Sequence, residues 1–324
     1  MKKISIFVFL FTVVYGFVFA QNESQIYIFG NSYNGEAVYW NNGRWIELSK
    51  TSNIGARVNG IAISGTNIYF VGRDGNDAVY WLNGNRNILP RTQGRAEAKA
   101  IAISGSNIYI IGNNGNNSGY WLNNNWNTLT NRANEVDAIT ISGSNVYIAG
   151  TEGKNLVYWV NGRKVVIPTE LGVNSDPLIT ANLYPFVKSI AVSGSDIYIL
   201  GYEGFQGHIE GVYWLNGRRN RLDGNAITIF NSNIYIVGEV NRELIHDDGY
   251  VQTYPEAFLW QNGNQTILPR NNDWSTAVAI TVSNSNIYIV GTDGVENVYW
   301  VNGRQVILPR MNNNIIISGI GIRN

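Results

Sequence analysis

The sequence predicts an all-β protein made of seven copies of one four-stranded unit. The first observation is a Val-Tyr-Trp block whose tryptophan recurs after 41, 40, 38, 55, 46 and 40 residues. A nearly fixed period of this length is typical of repeat architectures. The aligned blocks are Val38-Tyr39-Trp40, Val79-Tyr80-Trp81, Gly119-Tyr120-Trp121, Val157-Tyr158-Trp159, Val212-Tyr213-Trp214, Phe258-Leu259-Trp260 and Val298-Tyr299-Trp300.

The second observation is the local pattern within each unit, which favours strands over helices. Short alternating runs of Ile, Val, Tyr and Trp are interrupted by Gly, Asn and Ser, as in half-buried strands joined by turns. In the third unit this pattern predicts strands at 98–104, 107–112 and 119–122, and a fourth strand around Thr128-Leu129. Each unit is therefore predicted to be a sheet of four antiparallel strands.

The third observation is a recurrent Asn-Gly pair between the third and fourth strands. Both residue types tolerate a positive φ, which a two-residue hairpin turn requires. The pairs are Asn42-Gly43, Asn83-Gly84, Asn161-Gly162, Asn216-Gly217, Asn262-Gly263 and Asn302-Gly303.

Seven such sheets predict a seven-bladed β-propeller, in which every sheet packs both faces against its neighbours. The Val-Tyr-Trp residues are then core between blades rather than a ligand cage. The first strand of a unit is the innermost one, and it alternates large and small residues as crowding near an axis demands. These first-strand cores are Ile61-Ala62-Ile63, Ile101-Ala102-Ile103, Ile139-Thr140-Ile141, Ile190-Ala191-Val192, Ile227-Thr228-Ile229 and Ile280-Thr281-Val282.

The two chain ends are predicted to close the ring together. Unit one begins directly at its second strand, near Ile26, and lacks a first strand. A proline precedes the first-strand isoleucine by eleven residues in two units, from Pro90 to Ile101 and from Pro269 to Ile280. The same spacing from Pro309 selects Ile320. Residues 320–322 are therefore expected to add the innermost strand to blade one, with residues 315–317 as the alternative register.

The repeats resemble those of exported bacterial β-propellers built from V-Y-W-x-N-G units, and more distantly the WD40 and kelch propellers in period. The resemblance covers residues 26–324 and implies the propeller fold. It implies no particular activity, because propellers host many functions.

Residues 1–20 predict an export signal. Lys2 and Lys3 precede an apolar run that ends in Val18-Phe19-Ala20, which indicates cleavage before Gln21. The run is shorter than the roughly 20 residues of a spanning helix, so an uncleaved anchor is the less favoured alternative. We expect residues 21–324 to form one monomeric propeller domain in the periplasm or outside the cell, without insertion into the membrane.

Composition excludes several kinds of partner and chemistry. Removal of Lys2 and Lys3 leaves 21 basic residues against 23 acidic ones, so there is no electrostatic case for nucleic acid. The chain has no cysteine, which excludes disulfides and lipid attachment through cysteine. Neither a G-x-S-x-G stretch nor a phosphate loop occurs. We therefore expect no catalytic residues, no cofactor and no metal site.

Three insertions depart from the repeat, at residues 168–186, 202–211 and 239–256. In a four-stranded antiparallel blade, the connections after strands two and four emerge on the same face of the disc. We call this face the insertion face, and we expect binding there because variable loops carry function. The candidate binding residues are Tyr202, Phe205, His208, Glu210, His246, Asp247, Asp248, Tyr250, Tyr254 and Trp274.

The candidate residues leave several interpretations open. Aromatic side chains with a few polar partners suit a protein partner or a glycan. A lectin or a carbohydrate-active enzyme is the alternative to a protein-binding or scaffold module, and Glu210 and Asp247 could form its carboxylate pair. The histidines and aspartates are not spaced as the ligands of a metal ion usually are, which argues against a metal site. The remaining alternative is a purely structural disc without a ligand.

Overall fold

The chain forms seven antiparallel sheets of four strands, and the predicted fold class is confirmed. The computed structural model describes residues 24–130, 135–167, 185–205, 208–245, 251–311 and 314–324. The expected export signal and residues 168–184 of the first insertion lie outside these ranges. Within them, no helix is long and apolar enough to cross a membrane.

Blades two to seven each contain four consecutive strands, and blade one combines both chain ends. The strands of blades one to four are β1 (Gln25–Ser32), β2 (Ala37–Asn41), β3 (Arg44–Glu47), β4 (Ala56–Ser64), β5 (Asn67–Asp74), β6 (Asp77–Leu82), β7 (Asn85–Ile88), β8 (Ala96–Ser104), β9 (Asn107–Asn114), β10 (Asn117–Leu122), β11 (Asn125–Thr130), β12 (Glu135–Ser142), β13 (Asn145–Glu152), β14 (Asn155–Val160) and β15 (Arg163–Ile167). Those of blades five to seven are β16 (Phe186–Ser193), β17 (Asp196–Phe205), β18 (His208–Leu215), β19 (Arg218–Arg221), β20 (Gly224–Phe230), β21 (Asn233–Ile245), β22 (Val251–Gln261), β23 (Asn264–Ile267), β24 (Ser275–Ser283), β25 (Asn286–Asp293), β26 (Glu296–Val301) and β27 (Arg304–Ile307), and β28 (Ile315–Arg323) returns to blade one.

The innermost strands contact one another in a closed cycle. Strand β4 packs against β8, and the contacts continue in order through β12, β16, β20 and β24 to β28. Strand β28 contacts β4 again. Small residues permit this approach: a Cβ on Gly60 would lie 3.2 Å from the Cα of Ala100 in the next blade. Each innermost strand thus packs against both of its neighbours.

The C-terminal strand closes the ring in the register that the proline spacing predicts. Strand β28 pairs antiparallel with β1, and Ile320 lies opposite Ile28. In blade two the first-strand residue Ile61 lies opposite Phe70, so Ile320 occupies the repeat position of Ile61. Residues 315–317, the alternative register, continue the same strand on the other side of a bulge.

The tryptophans of the repeated blocks form core between blades, as the recurrence indicates. Trp81, Trp121, Trp159, Trp214 and Trp300 are fully buried. Two of these indole N–H groups donate to the proline that precedes their blade: Trp121 Nε1 to Pro90 O at 2.9 Å, and Trp300 Nε1 to Pro269 O at 2.8 Å. In these two blades the buried indole therefore has a bonded N–H group.

In blades two to seven, the first asparagine of the turn between the third and fourth strands has a positive φ and bonds to the start of the second strand. Asn83 has φ 52, and its Oδ1 accepts a hydrogen bond from Ile68 N at 2.9 Å. Its Nδ2 donates to Asn67 Oδ1 at 3.1 Å. The same pair of bonds recurs at Asn123, Asn161, Asn216, Asn262 and Asn302.

The insertions of blades five and six are extended hairpins rather than the wide loops that the sequence suggests. Strands β17 and β18 continue to the pair Phe205 and His208. Strands β21 and β22 continue for seven pairs beyond Gly238 and Phe258 and reach the pair Ile245 and Val251. Because both hairpins follow the second strand of their blade, they project from the insertion face.

Candidate functional site

The innermost strand of every blade carries a β-bulge at one repeat position, two residues before the first-strand isoleucine. Bulges often re-aim a side chain beside a functional site. These positions lie in the half of the strand nearer the insertion face, since each innermost strand starts there. We call the seven residues the bulge ring, and in blade order they are Ser318, Asn59, Lys99, Asp137, Lys188, Asn225 and Val278.

Most members of the bulge ring bond to the next blade. Asn59 Nδ2 donates to Ala98 O at 2.8 Å, and Lys99 Nζ donates to Asp137 Oδ1 at 2.8 Å. Lys188 donates to the amide oxygen of Asn225. Asn225 in turn donates to Ala277 O at 2.9 Å. The ring therefore fastens neighbouring innermost strands through polar side chains.

A cavity of about 450 Å³ opens beside the bulge ring, between blades four and seven. Val278 is apolar and offers no polar group to the ring. The cavity, called the axial cavity below, is lined by Asp137, Phe186, Val187, Lys188, Asn225, Glu239, Thr276 and Val278. Its volume lies within the usual range of small-molecule sites.

Lys188 is the central cation of the axial cavity. Its ammonium group donates to the Tyr202 hydroxyl and lies 3.9 Å from the centre of the Tyr202 ring. Burial lowers the pKa of Lys188, although the carboxylates of Glu239 and Asp223 act in the opposite direction. The half-buried ammonium is therefore positioned by side chains of two neighbouring blades.

Glu239 lies on β21 at the base of the blade-six hairpin and interacts electrostatically with Lys188. Its Oε2 accepts a hydrogen bond from Asn225. Burial raises the pKa of Glu239, while attraction to Lys188 lowers it. Burial also raises the pKa of Tyr202, and the negative charge of Asp223 adds to this effect. These groups form a desolvated polar cluster at the base of the two hairpins.

Asp137 forms a second charged cluster with Lys99 and Glu135. Lys99 Nζ lies 2.7 Å from Glu135 Oε2, and the Asp137 side chain is 9% exposed. Burial raises the pKa of Asp137 to about 6, Lys99 opposes this shift, and the charge of Glu135 adds to it. Its second oxygen, Oδ2, is buried and accepts no hydrogen bond from the described residues.

The structure distributes the sequence-predicted residues over several places. The Tyr202 hydroxyl accepts a hydrogen bond from Lys188, which lines the axial cavity. Glu210 instead turns toward the outermost strand of blade five, where it accepts hydrogen bonds from Arg219 at 2.8 Å and Arg221 at 2.6 Å. Tyr254 lies on the blade-six hairpin with the Arg242 guanidinium 5.8 Å from its ring centre.

The remaining predicted residues lie elsewhere on the insertion face or outside the described ranges. Phe205 and His208 pair at the end of the blade-five hairpin. Trp274 is half-buried in the connection before β24. Four others, His246, Asp247, Asp248 and Tyr250, lie outside the described residues. Across the described ranges, no three His, Asp or Glu side chains are grouped to hold a metal ion.

The sequence does not single out Asp137, Lys188 or Asn225. Their signal is a column of the repeat: the residue two before the first-strand isoleucine varies from blade to blade, whereas the next residue is always Gly, Ala or Ser. Variation beside a constant small residue marks a position free of packing constraints. The variable column can therefore be seen by aligning the units. Only the structure shows that its residues lie at the β-bulge of each innermost strand.

Comparison with known proteins supports the fold and leaves the activity open. No protein-family model and no curated protein matches the chain. Apo AztD from Citrobacter koseri has a TM-score of 0.50 at 9% identity, over 92% of this chain and 98% of that one. The dihydro-heme d1 dehydrogenase NirN has a TM-score of 0.48 at 11% identity, over 91% and 74%. A putative 6-phosphogluconolactonase from Bacteroides uniformis has a TM-score of 0.46 at 10% identity, over 93% and 99%.

These identities show likeness of fold alone.

Proposed function

We propose that this protein is an exported, monomeric binding module rather than an enzyme, and that its ligand occupies the axial cavity on the insertion face. The observation that carries the proposal is the cavity itself, where a desolvated lysine and two carboxyl groups meet an apolar wall. Concave sites with a few convergent polar groups are the usual form of small-ligand sites. The hairpins of blades five and six begin at its edge.

The contacts of Glu210 favour binding over hydrolysis. A glycosidic acid catalyst needs a carboxyl group that can hold and release a proton near the substrate. Glu210 is instead engaged by two arginines on the outer side of its blade. Glu210, one of the two carboxylates suggested by the sequence, therefore forms ion pairs instead of an acid catalyst.

The test is ligand-observed NMR on the mature chain, residues 21–324, with separate pools of neutral sugars, amino acids, dicarboxylates and polyamines. Val278→Trp fills the axial cavity, whereas Thr266→Trp places the same bulk in a separate hollow of blade six. We expect one pool to bind the parent and the Thr266 variant but not the Val278 variant. Absence of binding from every pool, or binding that survives Val278→Trp, contradicts the proposal.

Export is tested by expressing the full chain in a bacterial host and sequencing the N-terminus of the protein in the periplasm and medium. We expect the mature protein to begin at Gln21. A protein retained in the cytoplasm with residues 1–20 intact would contradict this part of the proposal.

A second candidate function, binding of a protein partner, is favoured by the blade-six hairpin. Strand β20 pairs with β21 only as far as Gly238, and β23 pairs with β22 only as far as Phe258. The described part of the hairpin beyond these points forms a two-stranded ribbon with exposed Val240 and Val251. A free strand edge can accept an extended segment of a partner.

The partner is sought by affinity capture from an envelope extract, with a variant in which a short Asn-Gly turn replaces residues 241–255. This variant keeps Glu239 and Glu256, and therefore the edge of the axial cavity. A partner held by the parent and lost by the variant supports this second candidate. A partner held equally by both contradicts it.

A further inference from the structure

The axial cavity combines an exposed aromatic ring with charged side chains of both signs. Phe186 is 47% exposed although it lines a concave surface beside the buried Val187. An aromatic face left open in a cavity offers apolar contact area to a flat ligand. The opposite wall is contributed by Thr276 and Val278 of blade seven.

Open hydrogen-bonding positions surround this apolar wall. Asp137 Oδ2 is buried without a donor from the described residues. Asn225 donates to one oxygen of Glu239, which leaves acceptor capacity on that carboxyl group. Lys188 has three N–H donors, of which two reach Tyr202 and Asn225. A ligand that both donates and accepts hydrogen bonds would match these positions.

The charges of the cavity favour a neutral ligand. Burial opposes the charged form of Asp137, Glu239 and Lys188. The two lysines, Lys99 and Lys188, already face four carboxyl groups, those of Asp137, Glu135, Glu239 and Asp223. An acidic ligand would meet this excess of carboxyl groups, and a charged ligand of either sign would have to be desolvated. Hydroxyl groups carry no such cost.

We propose that the axial cavity binds a neutral carbohydrate, with the apolar face of one pyranose ring against Phe186 and its hydroxyl groups bonded to Asp137, Glu239 and Lys188. This inference rests on the proposed binding function and names its ligand class. Adjacent hydroxyl groups supply donors to the two carboxyl groups and an acceptor to the ammonium group. The cavity volume of about 450 Å³ accommodates more than one sugar ring.

The test is isothermal titration of the mature chain with glucose, galactose, mannose, maltose and cellobiose as neutral probes, and with glucuronate and glucosamine as charged counterparts. We expect at least one neutral probe to bind and its charged counterpart to bind more weakly. Phe186→Ala should weaken binding by about tenfold or more. Tyr33→Ala, which removes another exposed aromatic ring that does not line the cavity, should leave the affinity unchanged.

Each outcome separates the inference from the function on which it rests. Lys188→Met should also abolish binding while the melting temperature shows that the variant is folded. Binding of amino acids, dicarboxylates or polyamines without any neutral sugar overturns the carbohydrate assignment and leaves the binding function standing. Sugar binding that is unaffected by Phe186→Ala overturns the placement of the ring. Absence of every ligand overturns both.

Discussion

Ile320 near the C-terminus lies directly opposite Ile28 near the N-terminus in one antiparallel ladder. The side chains of both are buried in the cluster shared by blades one and seven. Neither chain end can therefore complete its blade without the other.

Deletion of residues 315–324 is expected to remove the innermost strand of blade one and lower the melting temperature greatly. The loss includes the burial of Ile315, Ile317 and Ile320, each worth roughly 1.5 to 3 kcal/mol. Differential scanning calorimetry of the truncated and full mature chains measures the change. A peptide of residues 314–324 added in trans should restore part of the stability, and a truncated protein that melts like the parent would refute the closure.

Asn302 is expected to contribute to stability through both its backbone conformation and its side chain. It has φ 50, and it bonds to Ile287 N at 2.9 Å and Asn286 Oδ1 at 2.8 Å. Asn302→Gly keeps the favourable φ and loses the bonds, at a cost of about 1 kcal/mol. Asn302→Ala loses both, at a cost of about 2 kcal/mol. Urea unfolding compares the free energies of unfolding of the Gly and Ala variants. Equal losses of stability in both would contradict a role of φ.

Asp74 is expected to be essential to blade two because it neutralises a buried arginine. It lies 2.6 Å from Arg86 Nε, and its side chain is fully buried. Burial alone would raise the pKa of Asp74, but hydrogen bonds from Thr51 and Ser52 and the charge of Arg86 hold it below its ordinary value. Stability from this group is thus present at neutral pH and lost as pH falls below its ordinary pKa.

Asp74→Ala should cost about 3 to 5 kcal/mol in urea unfolding, because Arg86 is left buried without its main partner. Asp77 provides a matched control, since it lies 3.8 Å from the same arginine and is far more exposed. Asp77→Ala should cost less than about 1 kcal/mol. Asp74→Ala combined with Arg86→Leu should recover stability, and failure to do so would assign the loss to the Thr51 and Ser52 contacts instead.

Asp137→Asn is expected to stabilise the protein increasingly as pH rises. The folded pKa of about 6 lies above the ordinary value of 3.8, so the folded state binds this proton more tightly. Its contribution is fully present below about pH 4 and is lost as pH rises through about 6. The variant lacks this loss, and its amide oxygen still accepts from Lys99.

The advantage of Asp137→Asn over the parent should reach roughly 2 to 3 kcal/mol at pH 7 and shrink below pH 4. Melting temperatures between pH 3.5 and 8 measure it. Glu47→Gln, at a more exposed carboxylate, is the control for the loss of one carboxylate. A difference independent of pH would contradict the shifted pKa of Asp137.

The sequence by itself determined the number of blades, the strand order and the closing strand. These follow from periodicities that packing imposes on every unit: a buried tryptophan, an Asn-Gly turn and an innermost isoleucine must recur because each blade meets equivalent neighbours. The proline spacing selected Ile320 because the blade-entry loop has the same length in two other units.

Only the tertiary structure decided where polar groups converge. Lys188 and Asn225 are 37 residues apart and meet because adjacent innermost strands are bulged at the same level. Glu210 is of a residue type that is common in binding sites, yet it forms ion pairs with two arginines of its own blade. Periodicity records what all blades share, whereas a cavity arises from the few places where neighbouring blades differ, and those differences become contacts only when the ring is closed.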